Sequence, residues 1–108
     1  MAIDKSLISG STSMLLLRLL EDKDMYGYEM IETLEKKSNN VFTLKAGTLY
    51  PLLHSLEEKD YLTAYESEVN GKVRKYYSIT KNGRKYLESK KEELNEYQTA
   101  VVKVLCMS

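Results

Sequence analysis

Apolar residues recur along the middle of the chain with the period of a buried helical face. In AGTLYPLLHSLEEKDYL, residues 46–62, four leucines stand at the i, i+3, i+4 and i+7 positions of such a face. These leucines are Leu49, Leu52, Leu53 and Leu56. Gly47 and Pro51 fall inside the same pattern, although both residue types weaken helices. The pattern therefore predicts a helix with an apolar inner face and an unusual outer face.

Two further helical patterns precede this one. A mostly apolar stretch from about Leu7 to Leu20 predicts a first helix or a pair of helical turns, whose start the residues around Gly10 leave open. The sequence EDKD breaks the pattern, and Asp24 is a candidate cap for a second helix from about Met25 to Ser38. Two helices joined by a short connection have the local outline of a helix-turn-helix.

After the third helix the period changes from 3.6 to 2, which is typical of strands. YLTAYESEV, an Asn-Gly pair at residues 70–71 and KVRKYYSIT together predict a β-hairpin with a two-residue turn. The turn fixes a register in which Leu62 faces Ile79 near the base and Glu66 faces Lys75 farther out. A hairpin with an apolar base and a basic, polar tip is a wing rather than part of a closed sheet.

The last segment, from Lys81 to about Cys106, predicts one long helix of about 26 residues, or about 39 Å. Its apolar residues fit a heptad in which the a and d positions form one stripe, with Lys90 at one d position. The stripe is too long for the small preceding helices to cover. Pairing with a second copy is therefore favoured over packing within one chain. The predicted dimer interface consists of Leu87, Leu94, Tyr97, Val101 and Val104.

Composition limits the class of protein. With 108 residues, of which 43% are hydrophobic and 30% charged, the chain is predicted to be one ordinary soluble domain. Its longest apolar run is too short to cross a bilayer, and its N-terminus has no secretory pattern. The single cysteine, Cys106, cannot form an internal disulfide. These features predict a cytoplasmic protein with no membrane partner.

The formal net charge of zero is the sum of two opposite blocks. Residues 70–91 contain eight basic residues and one acid, whereas residues 57–68 contain five acids and one lysine. A local basic segment is what a phosphate backbone attracts. Charge alone does not separate this interpretation from an ordinary solvated surface.

The outer face of the third helix is small and exposed. With successive residues about 100° apart and the leucines inward, Gly47, Pro51 and His54 lie near the centre of this face. Such residues let a partner approach the backbone closely, and a recognition helix meets the major groove mainly through its N-terminal part. We hypothesise that Thr48 and Tyr50 contact phosphates or bases and that His54 reaches a base edge or phosphate. The alternatives are that Tyr50 packs against the wing or second helix and that His54 is an ordinary surface histidine.

Three segments in this order resemble the PadR family of bacterial transcriptional regulators: MYGYEMIETLE, GTLYPLLHSLEEKDYL and RKYYSITKNGRKYL. The resemblance covers nearly the whole chain. It implies a mainly α (α+β) fold, a winged helix-turn-helix with a two-stranded wing and a long C-terminal dimerisation helix. It also implies a homodimer that binds pseudo-palindromic double-stranded operator DNA, usually as a repressor. The short single C-terminal helix is similar to the smaller PadR subgroup, some of whose members sense phenolic compounds or drugs, which implies a small aromatic effector.

The resemblance divides the chain into a DNA-binding domain, residues 1–80, and a dimerisation helix, residues 81–108. Many family members have Ser-Pro before the Gly-Thr-Leu-Tyr-Pro segment, where serine would cap the helix. Lys45 and Ala46 stand there instead, so the capping hydrogen bond is in question and Lys45 is a candidate phosphate contact. The predicted DNA-binding residues are Lys45, Thr48, Tyr50, His54, Lys72, Arg74, Lys75 and Tyr76.

Catalysis has little support in the sequence. One histidine, one cysteine near the end and no spaced cluster of ligands make a protein-only metal site improbable. The glycines form no phosphate-binding loop, and no nucleophile has a plausible partner. We therefore expect no enzyme and no cofactor. The alternative to a DNA-binding regulator is a winged-helix module that uses the same surfaces to bind a protein.

Overall fold

Residues 11–107, the part of the chain that the structure describes, form four helices and three strands in a computed structural model. The elements are α1 (Thr12–Asp22), β1 (Met25–Tyr26), α2 (Gly27–Lys37), α3 (Ala46–Glu58), β2 (Leu62–Val69), β3 (Lys72–Ile79) and α4 (Lys81–Leu105). The strands form one antiparallel sheet in the order β1-β3-β2. This winged helix-turn-helix with a long last helix is the predicted α+β fold. The predicted start of the first helix at Leu7 lies outside the described residues.

The core lies between the helices and the inner face of the sheet. Leucines of α1 and α3 supply half of its residues, and Leu16, Leu49 and Leu53 are at most 1% exposed. Met30 of α2 is fully buried in the same cluster. Leu52, the remaining α3 leucine near this face, packs against the core but is only half-buried. The helical period of α3 therefore predicted its buried side correctly, and Leu52 lies at the edge of that side.

The connection between α1 and α2 differs from its prediction. α1 continues through Asp22, two residues into the EDKD sequence that was expected to break it. Met25 and Tyr26 are extended and pair with β3 instead of opening the second helix. Asp24 caps no helix, because its carboxylate accepts a hydrogen bond from the Tyr65 hydroxyl, 2.5 Å away. Pairing with a strand distant in sequence decides this two-residue stretch, which is too short to show a period.

The register of the hairpin is the predicted one. Leu62 faces Ile79 and Glu66 faces Lys75, as the two-residue turn requires. In that turn Asn70 has a φ of 54° and the following glycine a φ of 78°, the left-handed conformations that a two-residue hairpin turn needs. The wing itself is the predicted two-stranded hairpin, but β1 adds a third strand at its base. The sheet is therefore tied to the start of α2.

The first turn of α4 is fixed to the end of α3 and the base of the wing. The Thr80 hydroxyl accepts a hydrogen bond from the backbone N–H of Gly83 at 2.9 Å and donates one to the Asp60 carbonyl at 2.6 Å. The Asn82 side chain donates to the Asp60 carboxylate at 2.9 Å. A threonine that caps a helix satisfies one of its free N–H groups. This cap also sets the direction in which α4 leaves the sheet.

The next turn of α4 belongs to the core of the winged domain. Tyr86 stacks on Tyr61 with ring centres 4.3 Å apart, and Leu87 is fully buried. Leu87 is therefore covered within its own chain, which corrects its predicted place in a dimer interface. A heptad pattern shows that a stripe is apolar, but it cannot show which part of the stripe the same chain covers. Lys91, one turn beyond Leu87, still pairs with Glu21 of α1, and the molecule measures 60 × 31 × 21 Å.

Replacement of Gly83 by alanine tests this junction. A Cβ on Gly83 would overlap the backbone carbonyl oxygen of Tyr61, which cannot move without shifting β2. We expect Gly83→Ala to lower the free energy of unfolding by about 2 kcal/mol, the usual cost of overpacking a core. Urea denaturation of the purified variant measures this change.

Gly47→Ala is the matched control, because a Cβ on Gly47 meets nothing within 4 Å. Alanine also favours a helix, so the free energy of unfolding should stay the same or rise by up to about 1 kcal/mol. Equal effects of the two substitutions would contradict the proposed contact at Gly83.

Candidate nucleic-acid interface

The outer face of α3 is open to solvent from its first residue. Lys45 is the exposed N-cap residue, and no side-chain hydrogen bond caps the helix, as its sequence led us to question. Gly47 and Pro51 are also exposed, and open space lies over Gly47. The predicted placement of these residues on the outer face is therefore confirmed. A partner can approach the backbone here without displacing a side chain.

Thr48 and His54 lie on the same exposed surface. His54 Nε2 is 2.8 Å from Glu58 Oε1, one helical turn farther on, and both side chains are mostly exposed. The i, i+4 spacing of this pair is visible in the sequence. Because Glu58 is negatively charged, it holds the imidazole and also repels a phosphate at this end of α3. The N-terminal half of α3 is thus the more favourable half for an anionic partner.

Tyr50 leaves the exposed face and leans toward α2. Its hydroxyl packs against the backbone of Gly27, where any larger residue would overlap the phenol ring. The ring is 44% exposed, so it packs on the second helix and still borders solvent. The alternative interpretation of Tyr50, packing against the second helix, is therefore correct for the free protein. The role of Gly27, which lets the two helices approach here, was not predicted.

A groove of about 380 Å³ lies between the start of α2, α3 and the wing. It is lined by Tyr26, Gly27, Tyr28, Glu32, Tyr50, Arg74 and Lys75. The groove brings together three of the predicted DNA-binding residues, one from α3 and two from β3. Lys45, Thr48 and His54 lie on the surface of α3 outside it, and Lys72 lies at the wing tip.

The basic residues of the 70–91 block fall into two groups. On α4, Arg84 and Lys91 lie 4.0 and 3.5 Å from Glu21 of α1, and Lys90 pairs with Glu93. Within residues 11–107 no carboxylate pairs with the wing cations, which are Lys72, Arg74 and Lys75, or with Lys81 and Lys85 at the start of α4. The three wing cations outnumber the two wing carboxylates, Glu66 and Glu68, and leave a net positive charge that an external anion can neutralise.

The outer face of the sheet carries a cluster of three tyrosines, one from each strand. Tyr76 lies between the other two, with ring centres 5.6 Å from Tyr26 and 5.9 Å from Tyr65. Arg74 lies over the Tyr26 ring, its guanidinium carbon 4.2 Å from the ring centre. The hydrogen bond to Asp24 raises the pKa of the Tyr65 phenol above its ordinary value. Tyr76, predicted as a DNA contact, is thus half-buried within this cluster.

This tyrosine cluster was not predicted from the sequence. The alternation of β3 places Arg74 and Tyr76 on one face, but Tyr26 reaches that face only because β1 pairs with β3. A two-residue strand has no recognisable period. In the structure Tyr26 is half-buried and Tyr28 is 63% exposed.

The C-terminal half of α4 carries an apolar surface that its own chain does not cover. Tyr97 and Val104 are 63% and 64% exposed, and Leu94 and Val101 are half-buried. A depression of about 390 Å³ runs along this surface, lined by Tyr97, Ala100, Val101, Val104 and Leu105. Ala100 and Leu105 extend the predicted stripe by helical spacing. An exposed apolar stripe of this kind marks a surface for association.

Other kinds of site find no support in the described part of the chain. Between residues 11 and 107 there is no group of three or more His, Cys, Asp or Glu side chains placed to hold a metal ion. In the same range no helix combines the length and apolar character that a membrane span requires.

The fold and this surface define a class of protein, the winged helix-turn-helix regulators that bind DNA. The model of the Transcriptional regulator PadR-like family matches residues 16–89, and the chain belongs to that family. Family members of this kind regulate transcription through DNA, and catalysis is not their general role.

Three similar proteins illustrate the relationship. An uncharacterised protein of Lysinibacillus sphaericus is 36% identical over 100 residues, which are 92% of this chain and 92% of that protein. Transcriptional regulator YqjI of Escherichia coli is 32% identical over 85 residues, which are 79% of this chain but 40% of YqjI. The structure of a transcriptional regulator from Clostridium thermocellum superposes with a TM-score of 0.87 at 32% identity, covering 94% of this chain and 97% of that one.

Proposed function

We propose that the protein is a homodimeric repressor that binds pseudo-palindromic operator DNA. The observation that carries the proposal is the set of wing cations, Lys72, Arg74 and Lys75, which pair with no carboxylate of residues 11–107 and lie beside the exposed face of α3. Phosphate contacts by such cations supply affinity, and contacts of the recognition helix to base edges supply specificity. In this proposal Thr48, which is exposed near the N-terminus of α3, contacts a base, and Lys45 contacts an adjacent phosphate. Neither catalysis nor a cofactor has a part in this mechanism.

Two copies are required because one recognition helix reads only half of a palindromic site. The helices of a dimer enter successive major grooves about 34–36 Å apart. We assign dimerisation to the half of α4 beyond Leu87, through the exposed Tyr97 and Val104 and the half-buried Leu94 and Val101. Residues 1–80 then form the DNA-binding part and residues 81–108 the dimerisation helix. The first turns of α4 belong to the dimerisation helix and also pack in the core of the DNA-binding part. Because its partner is chromosomal DNA, we place the protein in the cytoplasm of a bacterium.

A small aromatic compound is the proposed signal for release from DNA. Tyr97 supports this proposal, because its exposed ring lies on the stripe where two copies would meet and could stack on an aromatic ligand. Such a compound would act by favouring a dimer whose recognition helices no longer match the groove spacing. Operator binding unchanged by a library of aromatic compounds would remove this part of the proposal.

A protein-binding winged-helix module is the second candidate function. The same groove, with its tyrosines and two cations, could take an acidic segment of a partner protein. DNA binding distinguishes the two candidates, because a phosphate backbone gives an affinity that falls steeply with salt. Affinity that does not change with salt, or equal affinity for every duplex, would argue for the protein-binding module.

The first prediction separates the two parts of the DNA interface. Lys72→Ala combined with Arg74→Ala should weaken binding to all duplexes and reduce the slope of log K against log salt by about 2, one for each lost phosphate contact. Thr48→Ala should leave that slope unchanged and alter the preference for operator over unrelated DNA by about tenfold. A gel-shift series with the promoter of its own gene and a scrambled duplex, repeated at rising salt, measures both effects.

The second prediction concerns the dimer. Val104→Glu places a charge on the uncovered stripe and should weaken self-association at least about tenfold, because a buried unpaired carboxylate is unfavourable. Sedimentation equilibrium should then show the 12.5 kDa single chain at concentrations where the unaltered protein is a dimer.

The matched control is Val102→Glu. Val102 is similarly exposed, at 55%, but lies about 100° around the helix from the stripe residue Val101. Its substitution should leave the dimer intact. An unaltered protein that sediments as a single chain, or equal losses in both variants, would contradict the assigned interface.

A further inference from the structure

Arg74 contacts an aromatic ring and forms no ion pair within residues 11–107. Its guanidinium carbon lies 4.2 Å from the centre of the Tyr26 ring, well inside the range of a cation–π contact. No carboxylate of residues 11–107 pairs with it. Within residues 11–107 the guanidinium donates no side-chain hydrogen bond, so its five N–H donors remain available to a ligand. An arginine so placed keeps its full capacity to bind a phosphate through two hydrogen bonds.

The Tyr26 ring that supports Arg74 is itself fixed from two sides. Its backbone pairs with Tyr76 of β3, and the Tyr76 ring meets it edge to face at 5.6 Å. Tyr65 stacks on the other side of Tyr76, and its hydroxyl is held by Asp24 at 2.5 Å. These contacts therefore connect Asp24 and β1, the segment before α2, to β2 and β3. The position of Arg74 is set by this cluster rather than by the free end of the wing.

Tyr26 also occupies a defined place relative to the recognition helix. It is the N-cap residue of α2. The hydroxyl of Tyr50, from α3, packs against the next residue, Gly27. Arg74 and Tyr50 consequently line one groove whose width is set by the start of α2. Lys72 lies at the wing tip, where β3 no longer pairs with β1. Its side chain therefore does not rest on Tyr26.

We propose that Tyr26 is a positioning residue for DNA binding, whose ring holds the Arg74 guanidinium ready to bind a backbone phosphate at this groove. The inference rests on the proposed function, and it adds a residue that touches no DNA itself. A long arginine side chain that is already ordered loses less conformational freedom on binding than a free one. Removing the aromatic face should therefore cost affinity through Arg74 and through no other cation.

A double-mutant cycle measures this dependence directly. The variants are Tyr26→Leu, Arg74→Ala and their combination, titrated against a duplex of the promoter of the protein's own gene by fluorescence anisotropy at several salt concentrations. We expect Tyr26→Leu to weaken binding about fivefold and to reduce the salt slope by up to about 1, as loss of one phosphate contact does. In the Arg74→Ala background, Tyr26→Leu should have almost no further effect.

Two comparisons separate positioning from a general effect on the fold. Tyr26→Phe keeps the aromatic face and should bind within about twofold of the unaltered protein. Tyr26→Leu combined with Lys72→Ala should give additive losses, because Lys72 does not rest on the tyrosine. Additive losses with Arg74→Ala, or a Phe variant as weak as the Leu variant, would overturn the inference.

The mobility of the Arg74 side chain can also be measured in the unaltered protein, so that this test does not depend on the folding of a variant. The NMR order parameter of the Arg74 Nε–Hε bond in the free protein should exceed about 0.6, the upper limit for flexible groups. A lower value would overturn the inference even if DNA binding is strong. If instead the unaltered protein binds no duplex at low salt, the proposed function itself fails, and the inference fails with it.

Discussion

The close approach of Gly83 to the carbonyl of Tyr61 is the constraint on which the other parts of the structure depend. At this point the end of α3, both ends of the wing and the start of α4 meet within a few residues. Thr80 joins them, since its hydroxyl bonds both Asp60 and Gly83 and its N–H donates to Tyr61. Leu87 then fills the core one turn farther on. A larger residue at position 83 would separate elements that must keep fixed angles to one another.

This junction and the three-stranded sheet fix the position of the wing relative to the exposed face of α3. α3 ends just before the junction and the wing begins just after it, so the recognition helix and the wing share one reference point. The basic residues of the 70–91 block lie partly on the wing and partly on α4. Arg84 and Lys91 pair with Glu21 and tie α4 to α1, whereas Arg74 and Lys75 point into the groove without a carboxylate partner in residues 11–107. One charge block thus serves both packing and the proposed contact with DNA.

Most of the architecture followed from local patterns. The leucine spacing of α3 identified its buried side, and the Asn-Gly turn fixed the hairpin register, because side-chain direction in a hairpin is set once the turn is known. The outer face of α3 was also predicted, since a helix with one buried side leaves the opposite side exposed. The pairing of β1 was missed for the opposite reason. Met25 and Tyr26 are extended only because β3, about fifty residues away, offers them hydrogen bonds.

By itself the sequence determined the elements whose signal is local: helix period, turn type, charge blocks and the family resemblance. Only the tertiary structure decided which apolar or charged residues meet. It placed Leu87 in the core, although its heptad neighbours Tyr97 and Val104 remain exposed on the same helix. It also brought Tyr26 beneath Arg74 and Tyr50 against Gly27. Such contacts join residues far apart in the chain, and a periodic pattern carries no information about which distant surface covers each position.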